Sequence, residues 1–357
     1  GTLAREKPLR IAYHRRRAEV VEHCLHDIDK ARKAWKQLFE MIPADTAVHR
    51  SLQRLQIDMP KELIELLLRI AETPGRDPSP VLRRAVALAE TRLGDFKEAS
   101  DMARRCADTS KQSTDLHSLA RIYSRLGASE SVAGVYNEIA SMEADERIAA
   151  PLLFMAAVHE LLAGRQNAAL EQIAEAEVRA PDDLAIQLLA ATIHRTNGNS
   201  AKLRPALARI SQLSASEETR FQVLIELSAV CEKLKDDLGA SEALAGATAL
   251  RPDDLDLLLT LADKHVVAKR WADAVSALEK VVPLLKDKIR CGEILAQIGH
   301  IEDSELKNTA AALNAYERAR ELDPDNIEVL QACQRLYGEG ELPEKQLALL
   351  REELEHT

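Results

Sequence analysis

Residues 175–191 read EAEVRAPDDLAIQLLAA, and the chain later contains two similar stretches, ATALRPDDLDLLLTLA and ARELDPDNIEVLQA. Their prolines, Pro181, Pro252 and Pro324, are 71 and 72 residues apart. In each stretch an apolar helical pattern ends at a proline, which cannot continue a helix. Asp or Asn, the residues that cap helix N-termini, then precede the next apolar run. The pattern predicts a chain that repeats a helix, a turn and a second helix.

A second marker lies between these turns. It is a small residue followed four and seven positions later by other apolar residues, so all three side chains lie on one helical face. The small residue allows the neighbouring helix to approach closely, which is typical of a helix hairpin. The marker recurs at Ala169, Ile173 and Ala176, at Ala240, Leu244 and Ala247, at Ala274, Leu278 and Val281, and at Ala312, Tyr316 and Ala319.

The composition favours an all-helical protein. Aromatic residues make up only 3% of the 357 residues, and good helix formers dominate the chain. A chain of this length suits either two ordinary domains or one elongated array, and the repeat favours the array.

Three hairpin stretches carry a family resemblance. RIYSRLGASESVAGVYNEIA, ELLAGRQNAALEQIAEA and ALAETRLGDFKEASDMA each place a glycine, Gly127, Gly164 and Gly94, between two helical patterns. They resemble the tetratricopeptide repeat (TPR) family, whose unit has about 34 residues. The resemblance implies an all-α, right-handed superhelical solenoid of TPR-like helix-turn-helix repeats, about 8 to 9 in number.

The segment HCLH at residues 23–26 looks at first like the start of a metal site. However, the segment that follows aligns with the repeat around Ala312, so HCLH is predicted to be the end of one helix and the turn before the next. In a helix, His23 and Cys24 would point about 100° apart, and a closed zinc site needs four ligands. No metal site is expected here.

Breaks in the helical pattern suggest three segments. TPGRDPSP at residues 73–80 holds three prolines and a glycine, so it is predicted to be a loop and a candidate hinge. An ordinary long turn between repeats is the alternative reading. The expected organisation is N-terminal TPR-like hairpins at 1–79, a main TPR solenoid at 80–326 and C-terminal closing helices at 327–357.

Charge and cysteine content limit the function classes. The formal net charge is −10, which disfavours nucleic acid as a main ligand. Residues 1–36 carry ten Lys/Arg and five Asp/Glu, whereas residues 301–357 carry six Lys/Arg and fourteen Asp/Glu. This difference in charge between the two ends of the chain allows head-to-tail homo-oligomers. Five scattered cysteines fit a reducing compartment, so we expect a cytoplasmic protein. No apolar run is long enough to insert into a membrane.

Catalytic patterns are missing from the sequence. It contains no nucleophile elbow, zinc-protease or phosphate-loop motif, and no motif for a cofactor. The paired acids Asp182/Asp183, Asp236/Asp237 and Asp253/Asp254 recur with the repeat and are therefore predicted to cap helices. We expect a protein that is not an enzyme and binds no cofactor.

The resemblance places a candidate binding surface on the first helices of the hairpins, which line the concave groove in such arrays. A basic strip is expected beside an apolar shelf, a combination that suits an acidic amphipathic peptide or helix of a partner protein. The alternative is that the shelf packs under a neighbouring repeat. The candidate residues are Arg84, Arg92, His117, Arg121, Arg125, Phe154, Met155, Val158 and Leu162.

Three functions remain after these steps. The first is a non-catalytic scaffold or adaptor that binds a partner peptide or helix in its groove. The second is a structural or assembly segment of a larger secretion, envelope or motility protein. The third, an RNA-binding helical repeat, is disfavoured by the acidic charge and the few aromatic residues.

Overall fold

The computed structural model describes residues 2–340 and 344–347, with side chains from residue 7 onward, and all its regular elements are helices. The chain divides into two compact units, unit 1 (Gly1–Pro181) and unit 2 (Asp182–Thr357). Within each unit every helix packs against the next one along the chain. The predicted all-α array of helix-turn-helix pairs is confirmed.

Unit 1 contains ten described α-helices, of which α5 continues into one π-helical turn at Ala89–Leu93. The helices are α1 (Thr2–His23), α2 (Ile28–Met41), α3 (Thr46–Leu55), α4 (Pro60–Ala71), α5 (Ser79–Leu88), α6 (Phe96–Ser110), α7 (Ser113–Arg125), α8 (Ser129–Met142), α9 (Glu146–Leu162) and α10 (Gln166–Arg179).

Unit 2 contains nine described α-helices and one short 3-10 turn at Val282–Leu284. The helices are α11 (Leu184–Thr196), α12 (Ser200–Leu213), α13 (Glu217–Lys233), α14 (Asp237–Leu250), α15 (Leu255–Val267), α16 (Trp271–Val281), α17 (Lys288–Ser304), α18 (Thr309–Leu322) and α19 (Ile327–Glu339). Odd-numbered helices are the first helices of their hairpins and even-numbered ones the second.

The small-residue marker forms the contact between paired helices. Its leading residues Ala169, Ala240, Ala274 and Ala312 are each 0% exposed. Because alanine has a single methyl group, the two helices of a hairpin can pack closely at this point. Every other marker residue is buried too, so the predicted core face is confirmed.

Acidic residues cap the helices as predicted. The Asp183 carboxylate accepts hydrogen bonds from the backbone N–H groups of Ala185 and Ile186. Asp236 and Asp254 do the same at the starts of α14 and α15. Such a cap contributes about 1 kcal/mol by satisfying a backbone donor that the helix leaves free.

A left-handed residue forms the turn inside each of several hairpins. The predicted turn glycines Gly94, Gly127 and Gly164 have φ of 67°, 70° and 76°. Glycine adopts this region without the steric cost that a Cβ brings. The corresponding turns of unit 2 hold Gly198 and then three lysines, which were not predicted: Lys235, Lys269 and Lys307, with φ of 58°, 57° and 57°.

Replacing Lys269 by glycine is expected to stabilise unit 2 by about 1 kcal/mol. The left-handed conformation costs an L-residue roughly 1–2 kcal/mol, and glycine removes that cost while adding entropy to the unfolded chain. Urea denaturation followed by circular dichroism measures the change. As the matched control, Lys33→Gly in the middle of α2 should destabilise by about 1 kcal/mol, since that exposed site is helical. A loss of stability in Lys269→Gly would contradict the turn assignment.

His26 explains the HCLH segment. Helix α1 ends at His23, His26 has a φ of 55°, and the Asp27 carboxylate caps α2 through the Lys30 N–H. His26 thus holds the position that Gly94 holds in a later hairpin. The prediction of a helix end and a turn is confirmed.

Ion pairs connect several first helices, or the π turn that extends α5, to the next first helix within a unit. The partners are 31 or 32 residues apart, which is about one repeat. In unit 1 the pairs are Glu22–Arg54, Arg83–Asp115 and Glu90–Arg121. In unit 2 they are Arg195–Glu226, Glu232–Lys264 and Asp303–Arg335. We call these six pairs the charge ladder.

The proline-rich loop is shorter than predicted. Helix α5 begins at Ser79, so the loop ends two residues before residue 80. The Asp77 carboxylate accepts hydrogen bonds from the Ser79 N–H and hydroxyl, and Pro80 fits the first helical turn because its missing N–H would have no partner there. The proposed hinge and the divisions after residues 79 and 326 stay predictions. Residues 341–343 and 348–357 of the predicted closing helices lie outside the described part of the chain.

In the described residues, we find no helix with both the length and the apolar character that crossing a bilayer requires.

Candidate functional site

The predicted binding residues all lie on first helices of unit 1 or on the π turn that extends one of them. Arg84 lies on α5 and Arg92 on the π turn; α7 carries the next three, and α9 carries the apolar four. We call the surface formed by α5, α7 and α9 the first-helix face. All five basic residues are exposed, and so are Met155 and Leu162, while Phe154 and Val158 are half-buried.

Most of the predicted basic strip is already engaged within the protein. Arg121 donates two hydrogen bonds to the Glu90 carboxylate, at 2.7 and 2.8 Å, which raises the pKa of its guanidinium. Arg84 donates to the Gln53 side-chain oxygen at 2.5 Å. The Arg125 guanidinium lies 5.4 Å from the centre of the Phe96 ring, within range of a cation–π contact. The internal partners hold these groups in fixed positions, and Arg121 is neutralised.

The apolar shelf extends further along α9 than predicted. Ile148 is 52% exposed, Met155 36% and Leu162 69%. Their spacing of seven residues places them on one line along the helix, and Pro151 lies on the same line. We call Ile148, Pro151, Met155 and Leu162 the α9 stripe. The prediction missed Ile148, which precedes the stretch PLLFMAAVHELLAG (residues 151–164) in which the shelf was sought, and it did not select Pro151, the first residue of that stretch.

A buried acid lies beneath the basic strip. The Asp115 carboxylate accepts two hydrogen bonds from Arg83, both at 2.8 Å, and one from the Ser110 hydroxyl at 2.6 Å. The Arg83 guanidinium is the main reason that the pKa of Asp115 is lowered. A small cavity of about 230 Å³ opens beside this acid, next to Cys106 and Arg121. The cluster ties α5 to α7 and thereby fixes the spacing of the first-helix face.

Two buried thiols, Cys106 and Cys333, are poor nucleophiles at neutral pH. Burial raises the pKa of Cys106 and of Cys333 to about 11, so both stay protonated. Over the described ranges, no three His, Cys, Asp or Glu side chains lie close enough together to hold a metal ion.

Comparison with known proteins finds similarity to solved structures only. No protein-family model and no curated protein matches the chain. Solved structures do match. MamA is 17% identical over 48% of this chain and 90% of its own, with a TM-score of 0.31. YrrB, described as a TPR protein with an unusual peptide-binding site, is 15% identical over 51% of this chain and 91% of its own, with a TM-score of 0.28. The TPR domain of P58(IPK) matches 97% of this chain and 93% of its own at 14% identity, with a TM-score of 0.26.

The chain is a TPR-like helical repeat array. The helix pairs, their buried alanines and their left-handed turns carry this assignment. Binding by this array is therefore argued from its own side chains.

Unit 2 of the TPR-like array holds a second candidate surface. First helices α15, α17 and α19 line an open groove of about 1160 Å³. This exceeds the roughly 300–1000 Å³ of small-molecule pockets, so its size suits a segment of a macromolecule. The acidic composition of residues 301–357 was noted in the sequence, but the groove was not predicted, because no motif marks which acids face inward.

Proposed function

We propose that this chain is a non-catalytic interaction scaffold that binds another protein on the first-helix face of unit 1. The α9 stripe carries the proposal. Ile148 and Leu162 are more than half exposed and share a line with the exposed Met155. Contiguous exposed apolar surface of this kind marks interaction sites, whereas single exposed apolar residues need no explanation.

The charges beside the stripe favour an acidic partner. Arg92 and Arg125 are exposed on the same face, and Arg121 adds no net charge because Glu90 balances it. An amphipathic helix with carboxylates beside its apolar side would complement both features. Its apolar side would cover the α9 stripe, and its carboxylates would lie near the free guanidinium edges.

Support from the rest of the molecule is general. The net charge of −10 disfavours RNA, and two buried thiols of high pKa fit a reducing compartment such as the cytoplasm. The segment divisions at 79/80 and 326/327, with a hinge at 73–80, belong to the same proposal.

The test compares two doubly substituted proteins as baits in pull-downs from the source cell, read by quantitative mass spectrometry. In Met155→Asp/Leu162→Asp the α9 stripe carries two charges, and capture of the partner is expected to fall at least about tenfold, since each change removes apolar burial worth about 1.5–3 kcal/mol. The control is Met142→Asp/Val178→Asp, which makes the same changes at residues of second helices that are 48% and 82% exposed.

Capture by the control should equal that of the unmodified chain. Equal capture by all three proteins would reject the stripe as the working surface. It would instead favour the second function, a structural segment whose role is to space other parts of a larger protein.

A further inference from the structure

The groove of unit 2 has an apolar floor. Ile301, Tyr316 and Val329 are buried beneath it, and Trp271 and Ala332 line it as half-buried residues. Gly299 of α17 leaves room for the Tyr316 ring, because a Cβ at that position would lie 2.8 Å from it. An open groove with such a floor offers apolar contacts to a helix laid across it.

The rim of the groove is acidic. Five carboxylates line it against one arginine, Arg335, which is paired with Asp303. Over the described ranges no Lys or Arg forms an ion pair with any of the other four acids. These are Asp263, Glu293, Glu305 and Glu328, and all four are exposed. The groove therefore favours an occupant that is apolar on one side and basic beside it.

Helix α1 of unit 1 presents that combination. Leu9 is 72% exposed and Tyr13 66%, and they lie one turn apart on one face. The exposed Arg16 continues the same line, with Arg10 and Arg17 beside it. Because α1 has 22 residues and its partner α2 has 14, its first two turns extend about 12 Å beyond the hairpin.

We infer that the groove of unit 2 binds helix α1 of a second copy of this chain. Leu9 and Tyr13 lie on the apolar floor, and the arginines face the acidic rim. The inference concerns a different surface from the α9 stripe, so it stands or falls separately from the proposed function.

The contact joins two different surfaces, so a bound pair keeps one free helix α1 on one copy and one free groove on the other. A heterologous contact of this kind forms open chains of copies unless a rotation closes it into a ring. Association should therefore increase steadily with concentration. It should weaken with salt, because the screening length falls from about 8 Å at 0.15 M to about 3 Å at 1 M.

Sedimentation equilibrium of the full chain tests whether copies of the chain associate with one another. The weight-average mass is expected to rise above the 39.5 kDa of one copy as concentration increases, and to return to it at high salt. A chain that keeps the mass of one copy at every concentration and salt level would overturn the inference, even if it bound an added basic helix from another protein.

Charge reversal on each surface tests whether helix α1 and the groove of unit 2 form the contact. One variant carries Arg10→Glu, Arg16→Glu and Arg17→Glu; the other carries Glu293→Lys, Glu305→Lys and Glu328→Lys. Each alone should keep the mass of a single copy, because helix and groove then repel each other. Their equimolar mixture should associate again, since the unmodified α1 of the second variant meets the unmodified groove of the first.

The mixture also shows that both variants are folded, because only folded surfaces can restore binding. The matched control for the arginine variant is Lys33→Glu, Lys61→Glu and Lys97→Glu. It changes the net charge by the same amount at exposed sites on second helices and should associate like the unmodified chain. Variants that associate undiminished on their own, or a mixture of correctly folded variants that stays monomeric, would overturn the inference.

Discussion

Replacing Ala312 by leucine is expected to destabilise unit 2 by about 3 kcal/mol. Ala312 is 0% exposed and lies where α18 packs against α17, so three extra carbon atoms have no space. The backbone must shift, and interiors packed as densely as organic crystals resist such a shift.

Fluorescence can assign this loss to one unit, because the chain has two tryptophans, Trp35 in unit 1 and Trp271 in unit 2. In a Trp35→Phe background the emission of Trp271 reports the urea unfolding of unit 2. The control Ala310→Leu, made two residues away at an exposed site of α18, should change stability by less than about 0.5 kcal/mol. Similar midpoints for both variants would show that the marker alanines are not at the helix contact.

Replacing Asp115 by asparagine is expected to destabilise unit 1 by about 2 kcal/mol at neutral pH. The amide cannot accept all three hydrogen bonds that Arg83 and Ser110 donate, and it brings no charge to balance the guanidinium. Complete loss of a buried pair costs about 3–5 kcal/mol, but the Arg83 side chain is 43% exposed, so water replaces part of the interaction.

The pH dependence of this difference has a definite sign. The pKa of folded Asp115 lies below the ordinary value of 3.8, so its charge stabilises the folded state above that pH. The difference in the free energy of unfolding between the unmodified protein and Asp115→Asn should be largest at pH 7. It should shrink as the pH falls below 3.8 and through the pKa of folded Asp115. Urea unfolding in a Trp271→Phe background, read through Trp35, measures it.

Asp108→Asn is the control for the same chemistry at the surface. The Asp108 side chain is 59% exposed, and its contact with Arg104 is 3.5 Å, so this change should cost less than about 0.5 kcal/mol. Equal losses at Asp108 and Asp115, or a gap that persists unchanged at low pH, would contradict the role given to the buried carboxylate.

The helices and their pairing were predictable because local chemistry determines them. Pro181 and Asp183 mark a helix end and a cap whatever the rest of the chain does, and the marker around Ala240 follows helical spacing. The position of His26 could be predicted by aligning one hairpin with another. In these cases the residues that set the structure are near each other in sequence.

The candidate site was predictable only in outline. Arg121 was correctly placed on a first helix, but its bond to Glu90 depends on how two repeats align, which no local pattern reports. The left-handed Lys269 was missed because lysine is not a turn signal, and the surrounding structure imposes its conformation. The acidic groove was missed for a related reason: which carboxylates share a surface depends on three helices stacked in space.

The lysine turns of unit 2 have a consequence for limited proteolysis. Lys235, Lys269 and Lys307 are exposed at hairpin turns, where native chains are most often cut, and trypsin cleaves after lysine. Cuts at these sites would separate residues 236–269 from 270–307, so each fragment would hold the second helix of one hairpin and the first helix of the next. Both helices of every fragment still pack against helices of neighbouring fragments, so a nicked unit 2 should migrate as separate peptides in denaturant yet elute as one folded body without it.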